Sequence, residues 1–175
     1  MRLHITLAKT LPPTLYSATI YSPWGSWAMA MADDKLYACS FIAPHTAAPQ
    51  LPLLHTQYTP ANLSQAEQMQ TWMNAFVNDT PNIVIPLALY GTPFQCKVWQ
   101  ALSKVLRGQT AYYADLATAI GSPKALQAVG TAVKQNHLAP FLACHRIIPR
   151  HGGIGNYFWG MQLKAQLLAH EGIVV

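Results

Sequence analysis

The sequence predicts an α+β protein: a small N-terminal antiparallel sheet with a helix, followed by a mostly helical C-terminal domain that contains a helix-turn-helix. Short β-prone segments separated by turn-forming residues occupy the region before residue 42. Apolar residues recur at helical spacing around position 70 and again across residues 92–135. Within that second region a Gly-Ser-Pro turn separates two short helical segments, which is the pattern of a helix-turn-helix.

Composition limits the class of protein. The chain has 175 residues, of which 51% are hydrophobic and 10% charged, so we expect a buried core and no extensive disorder. Because it has no run of eighteen apolar residues and no apolar stretch typical of a secretory signal, we expect neither a membrane span nor export. Cys39, Cys96 and Cys144 form no C-x-x-C pair and leave an odd thiol, which indicates a reducing compartment, the cytoplasm.

Turn chemistry defines the elements of the predicted sheet. Three strands of an antiparallel meander are expected at 16–21, 26–32 and 35–41. The turn formers Pro23-Trp24-Gly25 and Asp33-Asp34 separate them. Residues 44–60, rich in proline and polar residues, are predicted to form a long loop.

The helix after that loop is predicted from a capping box in which Ser64 is followed three residues later by Glu67. Its apolar stripe consists of Met69, Trp72, Met73, Phe76 and Val77. A short strand at 83–86 and a connection at 87–91 follow. We therefore predict an N-terminal α/β domain over 1–88 and a second domain over 89–175.

The second domain opens with a helix that Thr92 caps and Pro93 begins, and that ends at Arg107-Gly108. Its apolar stripe consists of Phe94, Val98, Ala101, Leu102 and Val105. The helix-turn-helix follows, with helices at 113–120 and 124–135 around Gly121-Ser122-Pro123. The residues expected to face inward from the first of these helices are Leu116, Ala117 and Ile120.

The second helix of this motif has two different faces. Its predicted buried face holds Leu126, Val129, Gly130 and Val133, and its polar face holds Lys124, Gln127, Thr131 and Lys134. The formal charge is −1 for residues 1–90 and +6 for residues 91–175, which favours a polyanionic partner for the second half. A helix along DNA fits both observations, although any amphipathic surface helix on a basic protein has the same pattern.

A polar group stands in the apolar stretch that follows residue 136. Cys144, His145 and Arg146 interrupt this stretch, and a glycine-rich loop at 152–155 comes next. The last predicted helix, 161–170, turns Met161, Ala165 and Leu168 inward and ends at Gly172. A cysteine beside a histidine is typical of a nucleophile, but taken alone such a dipeptide is more often structural.

The span 91–172 resembles the C-terminal domain of the O6-alkylguanine-DNA alkyltransferases, repair proteins that move an alkyl group from guanine onto their own cysteine. The motifs that carry the resemblance are, in order, GTPFQCKVWQAL (91–102), YADLA (113–117), SPKALQAVG (122–130), NHLAPFLACHRII (136–148), GNY (155–157) and LLAHEG (167–172). The resemblance implies a ribonuclease-H-like N-terminal domain, and a winged-helix-like arrangement for the C-terminal one.

The resemblance also implies a role for each matching residue. Cys144 is the alkyl acceptor, His145 deprotonates it through a water, and Glu171 orients His145. Such help is needed because a thiol with a pKa of about 8.5 is mostly protonated at neutral pH. Asn136 ties the helix-turn-helix to the cysteine loop, and Tyr113 presses on the target phosphate and assists protonation of the leaving group, although a purely structural role for Tyr113 stays open.

The resemblance implies that the helix-turn-helix enters the minor groove and that the target base is flipped. The DNA-binding residues are then Lys124, Gln127, Gly130, Thr131 and Lys134, and the substrate pocket holds Pro140, Ile147, Tyr157, Phe158 and Trp159. Three positions depart from the family: Gln127 replaces an arginine that fills the gap left by the base, Ala143 replaces a proline, and Phe158-Trp159 replaces smaller residues. The two aromatic residues either reshape the pocket or pack as core.

The implied function is irreversible, single-turnover transfer of a methyl or other alkyl group from O6 of guanine in double-stranded DNA to Cys144, by a monomer that uses no cofactor and no metal. Three alternatives remain: a protein that binds alkylated DNA without transfer, a helix-turn-helix transcription regulator and, least favoured, a cysteine hydrolase. A zinc site from Cys39, His45, His55 and Cys96 is disfavoured, because the spacing fits no recurrent ligand pattern.

Overall fold

The computed structural model of the protein describes residues 1–43, 51, 53 and 56–174 and divides the chain into two units. Unit 1 contains Met1–Tyr90 and His137–Phe141, and unit 2 contains Gly91–Asn136 and Leu142–Val175. The chain thus leaves unit 2 after Asn136, adds a short segment to unit 1 and returns at Leu142. The predicted domain boundaries do not include this excursion, because no proline- or glycine-rich linker marks it.

Unit 1 is built on a six-stranded sheet with the order β1-β6-β4-β3-β2-β5. Its strands are β1 (Arg2–Leu7), β2 (Thr14–Ser22), β3 (Gly25–Ala32), β4 (Lys35–Phe41), β5 (Gln57–Pro60) and β6 (Val84–Leu89). The meander β2-β3-β4 is antiparallel, as predicted. At its second turn Asp33 and Asp34 have φ values of 46° and 54°, the positive pair that a tight two-residue hairpin turn requires.

The sheet as a whole is mixed, which corrects the prediction of an antiparallel sheet. β1 pairs in parallel with β6, β6 with β4, and β5 with β2. Parallel neighbours need long connections, so their pairing leaves no short-range signal in the sequence. Residues 57–60 of the predicted loop form β5, residues 44–50, 52, 54 and 55 lie outside the described residues, and β6 continues to Leu89 rather than ending at residue 86.

Helix α1 (Leu63–Val77) begins one residue before the predicted cap. Asn62 is the N-cap: its side chain accepts from the Gln65 amide at 2.9 Å, and Gln65 Oε1 accepts from the Asn62 amide at 3.0 Å. The predicted capping box of Ser64 and Glu67 is therefore wrong, because Asn caps as well as Ser and the motif also fits two residues earlier. The helix buries Met69, Trp72, Met73, Ala75 and Phe76.

The segment His137–Phe141 continues the packing of unit 1. The His137 carbonyl accepts from the Cys39 amide of β4 at 2.7 Å, and Leu138 forms a parallel bridge with Cys39. The ring of Phe141 meets that of Phe76 edge-on, with centroids 5.7 Å apart. A cis peptide bond precedes Pro140.

Unit 2 is mostly helical. Its elements are α2 (Pro93–Leu102), β7 (Ala111–Tyr112), α3 (Tyr113–Ala119), α4 (Leu126–Lys134), a single 3-10 turn (Cys144–Arg146), β8 (Ile147–Ile148) and α5 (Met161–His170). Thr92 caps α2 and Pro93 is its first residue, as predicted, although the helix ends at Leu102 rather than Arg107. Helices α3 and α4 form the predicted helix-turn-helix, and Trp99 Nε1 of α2 donates to the Ala132 carbonyl of α4 at 2.9 Å.

Two helical faces differ from the prediction. Leu126 is 48% exposed at the start of α4, where Val129, Ala132 and Val133 form the buried face. In α5, Met161 and Ala165 are exposed, whereas Leu163, Lys164, Leu167 and Leu168 are buried. The predicted face of α5 is therefore wrong for Met161 and Ala165, because the buried stripe includes a lysine and lies on a different side of the helix. None of the helices in the described part of the chain has the length and apolar character needed to cross a membrane.

Candidate active site

Cys144 opens the 3-10 turn and is 6% exposed. Asn136 Nδ2 donates to the Leu142 carbonyl at 2.7 Å and lies 3.1 Å from Cys144 Sγ, so one amide group holds both the loop backbone and the sulfur. Tyr157 Oη lies 3.9 Å from the same sulfur. Two polar side chains from separate segments of unit 2 therefore meet at the thiol.

Ala143, which precedes Cys144, has a backbone conformation that a proline at this position would also have. Ala143 is 1% exposed and has a φ of −75°, within the range that a proline ring would impose. The Ala143 carbonyl accepts from the Arg146 amide at 3.0 Å, which closes the turn. Packing and this hydrogen bond thus fix the conformation that proline would otherwise favour.

The resting thiol is protonated. Burial raises the pKa of Cys144, and the hydrogen bonds of Asn136 and Tyr157, together with the positive charge of Lys164, offset this only in part. A neutral thiol is a poor nucleophile, so the proton has to leave as the sulfur reacts. The same three side chains stabilise the anion once it forms, because each places a donor or a positive charge near the sulfur.

Glu171, at the end of α5, accepts hydrogen bonds from two neighbouring side chains of the 3-10 turn. His145 Nε2 lies 3.0 Å from Glu171 Oε1. Arg146 donates from Nε to Oε2 and from Nη2 to Oε1, both at 2.8 Å, and its Nη1 donates to the Val105 carbonyl at 2.6 Å. The sequence pointed to His145 and Glu171 but missed Arg146, because a buried arginine has no periodic signal.

These contacts set the protonation states of the network. Burial by itself raises the pKa of Glu171, but the hydrogen bonds of His145 and Arg146, together with the positive charge of Arg146, prevail and hold it at about 2. Burial lowers the pKa of His145, and Glu171 reverses this only in part. At neutral pH the pair is a carboxylate and a neutral imidazole. A neutral ring that donates from Nε2 to Glu171 has its lone pair on Nδ1, which makes it a base.

Lys164 is a further charged group that the sequence analysis missed. It is 1% exposed, and its Nζ donates to the Ile147 carbonyl at 2.6 Å. Burial lowers the pKa of Lys164 to about 8, although Cys144 acts in the opposite direction. The lysine therefore still carries its proton at pH 7. Its signal in the sequence was its place in the buried stripe of α5, where 163, 164, 167 and 168 lie on one face.

The thiol borders a cavity of about 510 Å³, within the usual range of about 300–1,000 Å³ for small-molecule sites. Its lining consists of Tyr113, Gly130, Val133, Lys134, Cys144, Asn156, Tyr157, Phe158 and Trp159. Of the five residues predicted for the pocket, Tyr157, Phe158 and Trp159 are present. Pro140 and Ile147 are not among the residues that line the cavity, so the prediction is corrected for these two, and Ile147 is fully buried opposite Ala111.

Three consecutive aromatic residues form one side of this cavity. Tyr157 and Trp159 meet edge-on with centroids 5.3 Å apart, and Phe158 and Trp159 do so at 5.2 Å. Phe158 is 60% exposed, so its ring is not core packing. Tyr113, the first residue of α3, also lines the cavity, and burial raises the pKa of its hydroxyl, with the nearby Cys144 adding to the effect.

The polar face predicted for α4 lies at the surface. Gln127, Thr131 and Lys134 are all exposed, and Gly130 is half-buried. Lys124 is also exposed but precedes α4, because the helix spans Leu126–Lys134 rather than the predicted 124–135. Thr131 Oγ1 donates to the Gln127 carbonyl at 3.1 Å, so this hydroxyl bonds within the helix. Gly130 and Lys134 link the exposed face to the cavity, because both line it.

No group of three or more His, Cys, Asp or Glu side chains suited to a metal ion occurs among the described residues. The disfavoured zinc set included His45 and His55, which lie outside them. All three cysteines are described, and each is a free thiol.

Gly155 fixes the loop that carries the aromatic residues. Its φ is +70°, and a Cβ built there would lie 2.7 Å from Cδ of Pro149. We expect Gly155→Ala to lower the free energy of unfolding by about 1–3 kcal/mol, because the left-handed backbone and the rigid proline ring both oppose a side chain. Urea denaturation measures this change. Gly153→Ala is the control, since its φ of +74° is similar but no atom lies within 4 Å of the added carbon.

Comparisons with known proteins agree with this geometry. A family model described as the DNA binding domain of 6-O-methylguanine DNA methyltransferase matches residues 93–173. The constitutive methylated-DNA–protein-cysteine methyltransferase of Bacillus subtilis (strain 168) is 36% identical over 162 residues, which cover 90% of this chain and 96% of that protein.

Solved structures lead to the same family. The crystal structure of Mycobacterium tuberculosis O6-methylguanine methyltransferase has a TM-score of 0.73 and 32% identity, covering 90% of this chain and 92% of that one. The M. tuberculosis OGT in complex with DNA has a TM-score of 0.71 and 29% identity over the same shares of the two chains. Because the B. subtilis methyltransferase is 36% identical to this chain over nearly the whole length of both proteins, the chain belongs to the methylated-DNA–protein-cysteine methyltransferase family.

Proposed function

We propose that this protein repairs alkylated DNA directly, as a methyltransferase that moves the alkyl group from O6 of guanine to Cys144 Sγ. The observation that carries the proposal is a cysteine at a cavity of about 510 Å³, in the same 3-10 turn as a neutral imidazole bound to a buried carboxylate. The resulting thioether is stable, so each molecule reacts once. The nucleophile, the base and the proton donor are all side chains, and no cofactor takes part.

The atoms balance without any further reactant. The S–C bond forms as the C–O6 bond breaks, and the electron pair of that bond stays on the guanine. The thiol proton passes through a water to Nδ1 of His145, while the hydroxyl of Tyr113 gives a proton to the leaving guanine. Solvent then carries a proton from the imidazolium to the tyrosinate, which restores both groups. The position of Tyr113 supports this role, because it lines the same cavity as Cys144 and its hydroxyl is protonated at neutral pH.

Double-stranded DNA is the proposed partner. Because the thiol cannot reach O6 of guanine within the base stack, the target base has to be flipped out of the duplex. We propose that α4 lies in the minor groove with Lys124, Thr131 and Lys134 near the backbone and Gln127 and Gly130 facing the bases. The basic second half of the chain supports this arrangement. The flipped guanine then enters the cavity between Tyr113 and the aromatic residues Tyr157, Phe158 and Trp159.

Gln127 offers a direct test of this arrangement. A glutamine can hydrogen-bond an orphaned cytosine, but it lacks the charge and the planar fork of an arginine. We expect Gln127→Arg to speed single-turnover transfer from duplex DNA by about tenfold, with little effect on transfer from single-stranded DNA, where no base has to be replaced. Quenched-flow assays of both substrates measure the difference. An equal gain on both would contradict a role for residue 127 in base flipping.

Mass spectrometry tests the proposed function. The intact protein, mixed with a duplex that contains O6-methylguanine, is expected to gain the mass of one CH₂ unit, located on the peptide that carries Cys144. Cys144→Ser, with nearly the same shape, is the control and gains nothing. An unmodified wild-type protein after complete mixing would remove the transfer proposal, and binding without modification would favour a lesion-binding protein instead.

We also propose roles and arrangements for the two domains. We assign DNA binding and transfer to the domain over 89–175, with a winged-helix-like arrangement, and leave the N-terminal domain without a reaction of its own. The antiparallel meander extended by parallel strands supports a ribonuclease-H-like arrangement for unit 1. We also propose a monomer in the cytoplasm, where free thiols persist.

A further inference from the structure

Arg150 lies over an aromatic ring beside the cavity. Its Cζ is 5.6 Å from the centroid of Tyr112, a distance typical of a cation–π contact. The pairing of β7 with β8 brings the two residues together, since Tyr112 lies opposite Ile148, two positions before Arg150. Tyr112 directly precedes Tyr113, which lines the cavity. The chain thus places an arginine next to the part of the rim that Tyr113 forms.

We propose that Arg150, held by Tyr112, binds a phosphate of the DNA backbone and forms a second DNA contact, separate from the α4 face. This inference rests on the proposed function. A guanidinium in a cation–π contact keeps its N–H groups available, and two of them match the oxygens of a phosphate. The contact with Tyr112 also restricts the side chain before DNA binds, so less entropy is lost on binding.

The other arginines of unit 2 are engaged elsewhere. Arg146 is buried on Glu171, and Arg107, half-buried, donates from Nη2 to the His170 carbonyl at 3.3 Å. Among the described residues of unit 2, Arg150 is the exposed arginine. It is therefore the guanidinium that a polyanion can reach.

The surroundings of Arg150 leave room for a DNA strand. His151, Gly152 and Gly153 follow it and are exposed, and a Cβ added at either glycine would meet no atom within 4 Å. The acidic residue nearest to Tyr112 along the chain is Asp115, whose Oδ2 accepts from the Tyr112 amide at 2.8 Å and so caps α3. Its carboxylate fixes the backbone of Tyr112, which supports the ring below the guanidinium.

The test measures DNA affinity as a function of salt. All variants are made in the Cys144→Ser background, so that binding is not followed by transfer, and fluorescence anisotropy is recorded with a duplex containing O6-methylguanine and with an undamaged duplex. Arg150→Ala is expected to weaken both by about fivefold and to reduce the slope of log K against log salt by about 0.9, the value for one lost phosphate contact. Because a phosphate carries no sequence information, the affinity ratio of the two duplexes stays the same.

Two further variants separate the ring from the charge. Tyr112→Leu keeps Arg150 but removes its support, so affinity is expected to fall about threefold with little change in slope. Lys9→Ala removes an exposed positive charge of unit 1 and is the charge-matched control, with a slope close to that of the parent protein. An unchanged slope in Arg150→Ala, or an equal loss in Lys9→Ala, would overturn the proposal, as would a loss confined to the damaged duplex.

A transfer assay distinguishes failure of the second DNA contact from failure of the proposed function. With Cys144 present, Arg150→Ala is expected to need about fivefold more protein than the wild type to reach half of its maximal transfer rate constant, because a backbone contact acts on binding. A wild-type protein that transfers nothing would refute the proposed function. A normal wild type with an unchanged salt slope in Arg150→Ala would refute only the second contact.

Discussion

Replacing Glu171 with glutamine is expected to lower the free energy of unfolding by about 3 kcal/mol at neutral pH and to slow alkyl transfer roughly 100-fold. The stability term follows from the depressed pKa: a shift from 4.5 to about 2 corresponds to about 3 kcal/mol of preference for the ionised form in the folded state. The amide leaves the buried Arg146 without its countercharge. It also removes the charge that favours an imidazolium at His145, so the base becomes weaker.

The pH dependence of this difference has a definite sign. Because the pKa of Glu171 is lower in the folded protein than in the unfolded chain, its stabilising contribution is complete above about pH 4.5 and is lost as the pH falls toward 2. Urea denaturation from pH 7 to pH 2.5 should therefore show the wild type and Glu171→Gln converging at low pH.

A matched control for this prediction is Glu67→Gln, which makes the same chemical change at an exposed position of α1. It is expected to alter stability by no more than about 0.5 kcal/mol at any pH. A difference between wild type and Glu171→Gln that stayed constant down to pH 3 would contradict the assigned ionisation of Glu171. A normal transfer rate in that variant would exclude it from the reaction.

Lys164→Met is expected to separate activity from stability. Its transfer rate constant at pH 7 should fall roughly 100-fold, because the buried positive charge that stabilises the Cys144 anion is lost. Its stability should change by no more than about 2 kcal/mol. Burying the lysine costs about 3 kcal/mol, judged from its pKa of about 8 against 10.5, whereas losing the hydrogen bond to the Ile147 carbonyl costs about 1–3 kcal/mol.

Two pH profiles check this assignment. The wild-type rate constant should fall above about pH 8 as Lys164 loses its proton, and the variant should lack this decrease. Because the pKa of Lys164 is depressed in the folded state, the unfolded chain holds the proton to higher pH, so wild-type stability should rise relative to the variant between about pH 8 and 10.5. Lys97→Met, at an exposed position of α2, serves as the control and should change neither profile. Wild-type transfer rates in Lys164→Met would refute the electrostatic role.

Features of the fold that arise from contacts between residues close in sequence could be predicted, and those that arise from distant residues could not. Thr92 and Pro93 begin α2 through contacts within one helical turn, and Asp33-Asp34 makes its hairpin turn alone, so both could be predicted. The pairing of β1 with β6 joins residues about eighty positions apart and has no such signal. The same holds for the return of His137–Phe141 to unit 1, which no local feature of the sequence marks.

Site residues could be predicted where the residue type itself indicates a reactive group. They could not be predicted where a charged side chain is buried, against its usual preference for the surface. Cys144 and His145 stood out as a polar pair in an apolar stretch, and the family resemblance added Glu171. Arg146 and Lys164 were missed because charged side chains are expected at the surface. Both are buried here, and each bonds to a backbone carbonyl that a sequence does not reveal.

The protonated thiol has a consequence for the lifetime of the protein before it meets damage. A molecule that reacts once is wasted if its sulfur is oxidised first, and peroxide attacks thiolates far faster than thiols. A sulfur that burial keeps neutral, in a position only 6% exposed, resists conversion to sulfenic acid during the wait. Under oxidative stress, the supply of competent molecules is therefore preserved by the same burial that makes the thiol depend on its neighbours for activation.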